Sequence, residues 1–434
     1  MDERYDVVVV GAGLAGLAAA ATAAGAGAST LVVDGHHPGG RASTDERGPF
    51  RFNRGAHALY QGGEASAVLA RLGVTAPGAP PPTRARGRLG DHVGRLPANT
   101  ATLLRTDLLG ARGKLALARF LSGVKRWKPQ EVAGLTIGQW LDGFHLPDDA
   151  RRLVLFLVRT TTYLNDEDHV SADVAAGQIQ MALAHGVHYL HGGWASLVGG
   201  LATAARRNGA EIRTGAAVRS ITAPPEPGDV TLVVGDGVIQ AGAVVLAAGT
   251  PEAAAVLIGE RPAAWAGLGP QAEASCLDLG LRRRMAEPIL FGVDVPLYLV
   301  DHASVASGLA PEGGGLVHVL RYLTLGEDTP AAALRASLDE HARLGGVDPA
   351  TVEEERFLRR MTVVGATPTP ATGGLAGRPG IDSTGLPGVF VAGDWVGPRG
   401  WLADCTLSSG EAAGAAAASA SVRRGAVSAR QDVA

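Results

Sequence analysis

Hydrophobic residues near the N-terminus follow a pattern that predicts a β-strand, a helix and a second β-strand. Residues 5–10 form a short run rich in β-branched side chains, which is typical of a buried strand. The turn GAGLAG at 11–16 follows at once, and the alanine-rich segment after it has high helix propensity. Residues 29–34 predict a second buried strand that ends on Asp34. These elements complete a βαβ unit within about thirty residues.

Further along, the pattern leaves this first sheet and later returns to it. Residues 76–97 are rich in Pro, Gly and Arg and predict a linker or an exposed loop. Residues 102–181 have helical periodicity and predict a helical substrate lobe. The later predicted elements are a helix at 196–208, strands at 210–213, 217–221, 230–234 and 244–246, a β layer near 275–325, a buried strand that leads into Gly393 and Asp394, and an alanine-rich helix at 408–422.

This order of elements predicts an α/β fold with two discontinuous lobes. A chain of 434 residues exceeds the size at which one core keeps growing, so two lobes are expected. We predict a Rossmann-like dinucleotide-binding domain from 1–75, 186–265 and 366–425. An α+β substrate-binding domain is predicted from 76–185 and 266–365, and a flexible tail from 426–434.

Composition narrows the classes of partner. With 46% hydrophobic residues, 19% charged residues and a net charge of -3, the chain has no extended basic field, so nucleic acid is not expected as a partner. Cys276 and Cys405 are the two cysteines, and this sparse usage predicts free thiols in a reducing compartment, the cytoplasm. The acidic N-terminus does not resemble a signal peptide, and no membrane anchor is predicted. The slightly positive mean hydropathy of +0.13 leaves peripheral membrane contact open.

Gly11, Gly13 and Gly16 form a G-x-G-x-x-G motif between the first strand and the first helix, which is the context that makes the motif informative. The first glycine permits the tight turn, the second lets backbone amides approach a pyrophosphate, and the third lets helix and strand pack closely. The helix N-terminus favours phosphate charge. Asp34 lies at the end of the second strand, where it can accept hydrogen bonds from ribose hydroxyls. The alternative is a glycine-rich turn without a ligand.

Two further segments distinguish FAD from NAD, because both cofactors carry ADP. The segment PGGRAST at 38–44 follows Asp34 closely, and VAGDW at 391–395 provides a second strand-to-helix turn. Together they resemble the flavin-dependent amine oxidase and phytoene desaturase superfamily, in which a G-G-R-x-x-[ST] segment and a late G-D/E turn bind FAD. Gly192-Gly193 and residues 247–251 are similar to the middle of that family. The resemblance implies a two-dinucleotide-binding, glutathione-reductase-like fold and non-covalent FAD.

By this resemblance, Arg41 would meet the pyrophosphate, Val218 would meet adenine through its backbone, and Asp394 would meet the ribityl-pyrophosphate region. The alternatives are a surface charge, a core residue and a helix cap, respectively. The predicted cofactor-binding residues are Gly11, Gly13, Leu14, Ala15, Gly16, Asp34, Gly39, Gly40, Arg41, Ala42, His57, Val218, Ala248, Gly249, Gly393, Asp394, Gly400, Trp401 and Leu402.

The run GWLADCTLSSG at 400–410 is similar to the entry of the family's last helix, whose N-terminus faces the flavin pyrimidine. Asp404 occupies a position where the family commonly has glycine, which puts the main-chain contacts there in doubt. A helix cap is the alternative role for Asp404. Trp395 and Trp401 flank the late turn and wall the pocket or belong to the core.

The predicted catalytic residues are His57, Tyr60 and His191. His57 and Tyr60 follow the G-G-R segment in a stretch that returns near the flavin ring in the resembled superfamily. His191 precedes Gly192-Gly193. An imidazole can accept a proton near neutral pH, although a hydrogen-bonded structural histidine is the alternative. His36-His37 lacks further ligands at recognisable spacing, so no metal site is predicted.

The resemblance implies transfer of hydride from a mostly apolar small molecule to flavin N5, with oxygen or a quinone as the electron acceptor. Desaturation of a C-C bond and oxidation of a C-N bond remain open. Many amine oxidases place a lysine in the substrate lobe, whereas this chain has only Lys114, Lys125 and Lys128, all in the early helical segment. This favours a desaturase-like dehydrogenase. The alternatives are an amine oxidase that forms imine and hydrogen peroxide, an FAD-dependent isomerase without net redox change, and a flavin-binding protein without catalysis.

Overall fold

Two large β-sheets organise the chain in the computed structural model, which describes residues 3–225 and 228–431. The strands in chain order are β1 (Glu3–Val10), β2 (Thr30–Asp34), β3 (Thr44–Arg47), β4 (Phe50–Asn53), β5 (Leu59–Tyr60), β6 (Gly78–Ala79), β7 (Arg86–Leu89), β8 (His92–Arg95), β9 (Val187–Leu190), β10 (Glu211–Thr214), β11 (Val218–Thr222), β12 (Val230–Val234), β13 (Gly237–Leu246), β14 (Ala272–Leu281), β15 (Ile289–Gly292), β16 (Leu297–Asp301), β17 (Gly315–Tyr322), β18 (Val352–Val364) and β19 (Val389–Val391).

Helices cover the sheets and form most of the segment between them. The α-helices in chain order are α1 (Leu14–Gly25), α2 (Glu64–Arg71), α3 (Thr100–Arg105), α4 (Ala111–Gly123), α5 (Ile137–Asp142), α6 (Asp148–Thr162), α7 (Ala172–His185), α8 (Trp194–Arg207), α9 (Pro251–Ile258), α10 (Ala331–Gly345) and α11 (Ala403–Gln431).

The first sheet has the strand order β10-β2-β1-β13-β12-β11, and β19 pairs with β13. Strands β10, β2, β1, β13 and β19 are parallel, so the carboxyl ends of these strands meet at one edge. In β1, Val7 and Val9 face the layer of α1, α8 and α11, whereas Val8 and Val10 face the cluster around Trp265. Burial on both faces explains the continuous apolar run. The sheet confirms the Rossmann-like fold, whose ligands bind at the carboxyl edge of the strands.

Helices α1 and α11 cross so closely that only small residues fit between them. A Cβ atom on Gly410 would overlap the carbonyl oxygen of Ala15, and one on Gly414 would overlap that of Ala19. Residues four apart lie on the same face of a helix, so these two contacts lie one turn apart along the crossing. The alanine-rich composition of both helices therefore brings the C-terminal helix onto the first one, beside the glycine turn.

The second sheet has the strand order β18-β14-β17-β16-β15-β7-β8. One face packs against α10 through leucine and valine side chains such as Leu277 and Val319. The opposite face belongs to a separate cluster that includes Phe50, Phe52 and four tyrosines. This sheet confirms the β layer predicted near 275–325, and α3 to α7 confirm the helical segment predicted at 102–181.

The loop predicted at 76–97 is wrong in part, because β6, β7 and β8 lie within it. Strand β7 joins the second sheet beside β15, and β8 pairs with β7 at its margin. A Cβ atom on Gly87 would come within 2.8 Å of Leu96, so close packing explains the glycine that suggested a loop. Short strands at a sheet margin tolerate a composition rich in Pro, Gly and Arg. The hydrophobic pattern therefore does not predict them.

The C-terminal helix is longer than the predicted 408–422 segment and extends through the first residues of the predicted tail. Residues 432–434 of that tail lie outside the described residues. No helix in the described part of the chain is both long and apolar enough to cross a membrane. The division of the chain into two discontinuous domains remains a prediction.

Candidate cofactor and active site

The glycine turn after β1 contains three motif glycines. At two of them a side chain would overlap the backbone of this chain, whereas the third borders open space. Gly11 has φ +105, and a Cβ atom there would overlap the carbonyl oxygen of Ala247. A Cβ atom on Gly16 would overlap the carbonyl oxygen of Gly11. In contrast, Gly13 has φ -75, and the nearest atom of a non-adjacent residue to a Cβ atom there would be the oxygen of Gly39 at 3.9 Å. The space beside Gly13 can therefore accept a ligand.

Helix α1 begins directly at this open space. Its N-cap residue, Gly13, makes no side-chain capping hydrogen bond, and its first turn contains no acidic residue. Uncapped amides and the positive end of the helix dipole favour an anion. Leu14 and Ala15 lie in this first turn. The geometry of the turn therefore fits the diphosphate of FAD.

Asp34 lies at the carboxyl end of β2, next to the glycine turn. Its carboxylate accepts hydrogen bonds from the backbone N-H groups of Ala12 at 2.7 Å and His36 at 2.8 Å. The backbone oxygen of Asp34 accepts a hydrogen bond from Ala216 N-H at 2.9 Å, which holds the start of β11 at the same edge. The structure therefore places Asp34 close to the start of β11, where Val218 is half-buried. Their roles at the ribose and adenine remain predictions.

Arg41 and Asp394 form a two-pronged ion pair that joins the G-G-R segment to the late Gly-Asp turn. The guanidinium donates hydrogen bonds of 2.7 and 2.9 Å to the two carboxylate oxygens. It also donates to the carbonyl oxygens of Val363 at 3.0 Å and Gly249 at 3.2 Å. Burial acts to lower the pKa of Arg41, but the charge and hydrogen bonds of Asp394 outweigh it, so the pKa is raised. Arg41 therefore remains a fixed cation at this edge of the sheet.

Most other predicted cofactor residues lie around this ion pair. Gly39 and Gly40 have φ +126 and +55, conformations that favour glycine, and Gly39 forms a β-bridge with Gly13. Gly393 follows β19, and its N-H donates a hydrogen bond of 3.0 Å to the Ser409 hydroxyl. The remaining two positions here are the buried Ala42, in a 3-10 turn, and Ala248, in the loop after β13.

We expect Arg41→Met to destabilise the FAD-free protein by about 2 kcal/mol, because Asp394 is only 4% exposed and would lose its cation. The expected loss of stability is smaller than for a fully buried ion pair, because Arg41 is 35% exposed. A matched control is Arg71→Met, because Arg71 makes a similar two-pronged pair with Glu411 but is 53% exposed. The control should cost less than about 1 kcal/mol. Thermal unfolding measures both variants, and equal losses would contradict the assignment.

The segment 400–404 turns sharply into α11. Gly400 has φ +71 and Leu402, which is not glycine, has φ +53. Such a conformation costs on the order of 1–3 kcal/mol for a non-glycine residue and persists only when the surroundings hold it. The neighbouring Trp401 is buried, and its indole N-H donates a hydrogen bond of 3.0 Å to the Thr162 carbonyl oxygen. The helix entry is therefore held in a defined conformation by the helical segment.

Asp404 caps a helix other than its own. It lies in the first turn of α11, and its carboxylate accepts a 2.7 Å hydrogen bond from the Ala65 N-H in the first turn of α2. Gly63, the N-cap of α2, has no side chain to offer there. Burial raises the pKa of Asp404 to about 6, although the Ala65 N-H acts to lower it. This contact explains why an acid replaces the glycine expected from the family resemblance.

The Asp404 carboxyl group makes stability depend on pH. Because its pKa is raised in the folded state, folding takes up a proton, and stability falls as the pH rises from about 4 to about 6. We expect Asp404→Asn to remove this dependence while its amide oxygen keeps the cap. The variant should therefore gain melting temperature relative to the original protein at neutral pH, and lose the gain at about pH 4. A difference in melting temperature that does not vary with pH would contradict this interpretation.

The predicted catalytic residues have different environments. Burial lowers the pKa of His57 to about 4, so the imidazole is neutral at neutral pH. Its Nδ1 lies 3.0 Å from the carbonyl oxygen of Gly55 and therefore carries the hydrogen, which leaves Nε2 as an acceptor. The Tyr60 hydroxyl donates a 2.8 Å hydrogen bond to the Thr161 carbonyl oxygen, and burial raises its pKa. Nδ1 of His191 accepts a 3.1 Å hydrogen bond from the Ser307 N-H. Thus each has a structural partner.

A group of four buried tyrosines, Tyr163, Tyr189, Tyr298 and Tyr322, lies between the second sheet and the segment that carries His57. We call this group the tyrosine cluster. The hydroxyls of Tyr189 and Tyr298 lie 3.3 Å apart, and the Tyr298 hydroxyl lies 2.9 Å from Nε2 of His302. Tyr163 has φ +63, a second strained residue beside this site. The tyrosine cluster as a group was not found by sequence reasoning, because its members come from four distant segments.

Trp395 and Cys405 belong to the core behind the late turn. The Trp395 ring packs 4.9 Å from Trp265, in an edge-on arrangement. The thiol of Cys405 donates a 3.1 Å hydrogen bond to the Val396 carbonyl oxygen, and burial raises its pKa to about 11. Cys276 and Cys405 are both free and buried, which confirms the prediction of two thiols.

Comparison with known proteins identifies the family. The family model described as DAO, FAD dependent oxidoreductase, matches residues 6–264, which is more than half of the chain. The chain therefore belongs to this family of FAD-dependent oxidoreductases. It is an enzyme whose cofactor is FAD, as the glycine turn and the G-G-R segment predict. No curated protein matches the sequence.

Solved structures share the fold over nearly the whole chain. An oxidoreductase from Methanosarcina mazei has a TM-score of 0.70 at 20% identity, covering 93% of this chain and 98% of its own. Cyclohexylamine oxidase from Brevibacterium oxydans IH-35A has a TM-score of 0.66 at 20% identity, with coverage of 96% and 99%. Putrescine oxidase bound to putrescine has a TM-score of 0.69 at 15% identity, with coverage of 96% and 99%. At such identities the likeness shows the fold alone.

Proposed function

We propose that this protein is an FAD-dependent dehydrogenase that oxidises a C-H bond in a mostly apolar small molecule, and that the tyrosine cluster binds this substrate. FAD supplies the two-electron chemistry when it is bound, by accepting hydride at N5. The chain's own residues hold the substrate, exclude water and receive the proton. The observation that supports this proposal most strongly is the position of the tyrosine cluster, which packs against the segment 55–58.

A short path connects the predicted cofactor site with the tyrosine cluster. Arg41 pairs with Asp394 at the edge of the first sheet, and the carbonyl group of Arg41 lies close enough to His57 to favour its protonated form. Ala56 and Ala58, on either side of His57, pack against the tyrosine cluster. A substrate between His57 and the tyrosine cluster would therefore lie beside the cofactor.

The polar groups of the tyrosine cluster favour a neutral substrate with one hydroxyl or amine group. Its hydroxyls stay protonated, because burial raises the pKa of each of the four tyrosines. They can exchange hydrogen bonds with a hydroxyl or an amine, whereas a polyene offers them no hydrogen bond. Lys125 and Lys128 are exposed and Lys114 bonds the Leu104 carbonyl oxygen in the helical segment, so none of the lysines is placed to act here.

Anaerobic mixing tests this proposal. The FAD-loaded protein is mixed with a panel of cyclic and linear alcohols, amines and polyenes, and the yellow absorbance of the flavin is followed. We expect an alcohol or amine to bleach one flavin per active site, and air or a quinone to restore the colour. Product formed without bleaching would instead indicate an isomerase, and bleaching only by polyenes would indicate a desaturase. Bound FAD that no compound reduces would contradict the proposal.

The proposal also includes the domain boundaries and the cellular location. We take the FAD-binding domain as 1–75, 186–265 and 366–425, and the substrate domain as 76–185 and 266–365, because the predicted cofactor residues and the tyrosine cluster largely divide in this way. The two buried thiols are compatible with a cytoplasmic location.

A further inference from the structure

Three neighbouring strands of the second sheet bring a histidine, an aspartate and an arginine into one row. His318 of β17 pairs directly with Asp278 of β14, and Asp278 pairs directly with Arg356 of β18. Residues that are directly opposite in adjacent strands share a face of the sheet. The rest of β14 and β17 is largely apolar and buried, so the ionisable groups on these two strands require an explanation.

Hydrogen bonds fix the hydrogen positions in this row. Nδ1 of His318 lies 2.5 Å from Oδ1 of Asp278, and the thiol of Cys276 lies 3.0 Å from the same oxygen. Arg356 donates to Oδ2 through Nε at 2.9 Å and Nη2 at 2.6 Å. Because a carboxylate only accepts, Nδ1 of His318 carries the hydrogen. Nε2 is then an acceptor, and it is buried without a hydrogen-bond partner among the described residues.

The charged groups around the row include more carboxylates than cations. Arg356 also donates to the carboxylate of Asp45 at 2.6 Å and to the carbonyl oxygen of Asn53. One arginine therefore faces two carboxylates. Burial acts to raise the pKa of Asp278, but His318 and Arg356 outweigh it, so the pKa is lowered and Asp278 is charged. A second proton on His318, at Nε2, would balance the charge of the group.

The other ionisable groups near His318 are poor proton acceptors. From the adjoining segments, burial lowers the pKa of His57 to about 4 and that of His302 well below its usual range. Burial raises the pKa of the Cys276 thiol, so it keeps its proton.

The remaining ionisable groups belong to neighbouring strands. Burial raises the pKa of Tyr298, Tyr189 and Tyr322, so these hydroxyls stay protonated. Arg321 forms an ion pair with Glu327. Burial raises the pKa of Asp301, but its carboxylate already accepts backbone hydrogen bonds from Met285 and Leu316.

The free nitrogen belongs to the same region as the proposed substrate site. The rings of His318 and His302 lie 4.7 Å apart, and His302 stacks on Tyr189 of the tyrosine cluster with ring centres 3.9 Å apart. The Ala56 N-H lies close enough to the Cys276 thiol, beside Asp278, to act to lower its pKa. A peptide next to His57 therefore contacts both the row and the tyrosine cluster.

A metal ion is a weaker explanation of these side chains. Ligand atoms of Cys276, Asp278 and His318 lie within 4.8 Å of one another. However, the Asp278 carboxylate already accepts hydrogen bonds from His318, Cys276 and Arg356, and a metal ion would have to displace these donors. Binding would also require loss of the hydrogen that His318 shares with Asp278.

We propose that His318 is the proton acceptor of the oxidation and that Asp278 and Arg356 are positioning residues that hold it. This inference rests on the proposed function. The substrate's C-H bond breaks with transfer of hydride and its two electrons to FAD, and its O-H or N-H proton passes to Nε2 of His318, directly or through one water. The electron pair left by that proton forms the new C=O or C=N bond. His318 later releases the proton to solvent.

Single-turnover kinetics test the role of His318. With an alcohol or amine that bleaches the enzyme, His318→Gln should slow flavin reduction by about 10²–10⁴-fold while FAD binding stays unchanged. The dependence of the reduction rate on pH should differ between the original enzyme and the variant, because the variant lacks the proton acceptor. Asp278→Asn should slow the reaction and alter its pH profile. His341→Gln is the matched control, because His341 is also fully buried but bonds the Leu290 carbonyl oxygen.

Nuclear magnetic resonance of ¹⁵N-histidine in the FAD-loaded protein supplies a readout that does not depend on activity or on the variants folding. We expect His318 to carry hydrogen on Nδ1 and none on Nε2 in the resting enzyme. Hydrogen on Nε2 would overturn the inference even if no substrate is found. If the enzyme is bleached equally fast with and without His318, the inference fails while the proposed function stands.

Discussion

Replacement of Gly13 by alanine is expected to weaken FAD binding by at least about 100-fold while leaving the FAD-free protein folded. The backbone of Gly13 is compatible with alanine, since its φ is -75, and the added Cβ would lie 3.9 Å from the Gly39 oxygen. The methyl group would, however, occupy the space where the diphosphate approaches the N-terminus of α1. Titration with FAD and thermal unfolding of the FAD-free protein measure the two effects separately.

Two other glycines provide controls for this result. Gly16→Ala should destabilise the protein itself, because its Cβ would overlap the Gly11 carbonyl oxygen. Gly199→Ala, in the open interior of α8, should leave FAD binding unchanged and keep or raise stability by up to about 1 kcal/mol. If Gly13→Ala bound FAD as tightly as Gly199→Ala, the diphosphate could not lie at this turn.

Replacement of Arg356 by methionine is expected to destabilise the protein by about 3–5 kcal/mol, because it removes the cation from the fully buried Asp278. The lowered pKa of Asp278 gives this effect a definite pH dependence. The stabilisation is present above the ordinary aspartate pKa of about 4 and is lost as the pH falls through the lower folded value. The difference between the variant and the original protein should therefore shrink in acid.

An exposed arginine provides the control for that measurement. Arg282 pairs with Glu353 on the edge of the same sheet but is 67% exposed, so Arg282→Met should cost less than about 1 kcal/mol at any pH. Chemical unfolding at neutral and acid pH measures both variants. Equal losses, or a loss for Arg356→Met that grows in acid, would contradict the assignment of a charged Asp278.

The first sheet and the turns at its carboxyl edge could be predicted in detail because their signals are local. The glycine turn, the strand that ends on Asp34 and the late Gly-Asp turn each carry their constraint within a few consecutive residues, and the parallel order of β1, β2, β13 and β19 brings them to one edge. The strands β7 and β8 could not be predicted, because a short marginal strand needs no apolar alternation. Their position depends on a partner, β15, about two hundred residues away.

The residues of the candidate site also fall into those that a local sequence pattern identifies and those that only strand pairing brings together. Arg41 and Asp394 lie in recognisable segments, and the sequence placed them both at the cofactor, although their pairing across the chain was not foreseen. The row of His318, Asp278 and Arg356 depends on strand register, which no local pattern specifies. A signal was nevertheless present, since Asp278 and His318 interrupt strands that are otherwise largely buried and apolar. Buried charge in such a strand indicates a specific partner.

Calorimetric titration of FAD into the FAD-free protein, with ADP and FMN in parallel, tests the cofactor site most directly. Binding that begins with diphosphate capture at the glycine turn predicts one FAD per chain, weaker binding of ADP and the weakest binding of FMN, which lacks the diphosphate and the adenosine. The bound flavin should then respond to substrates that contact the tyrosine cluster. No heat and no bound yellow colour after addition of FAD, or tighter binding of FMN than of FAD, would contradict this assignment of the site.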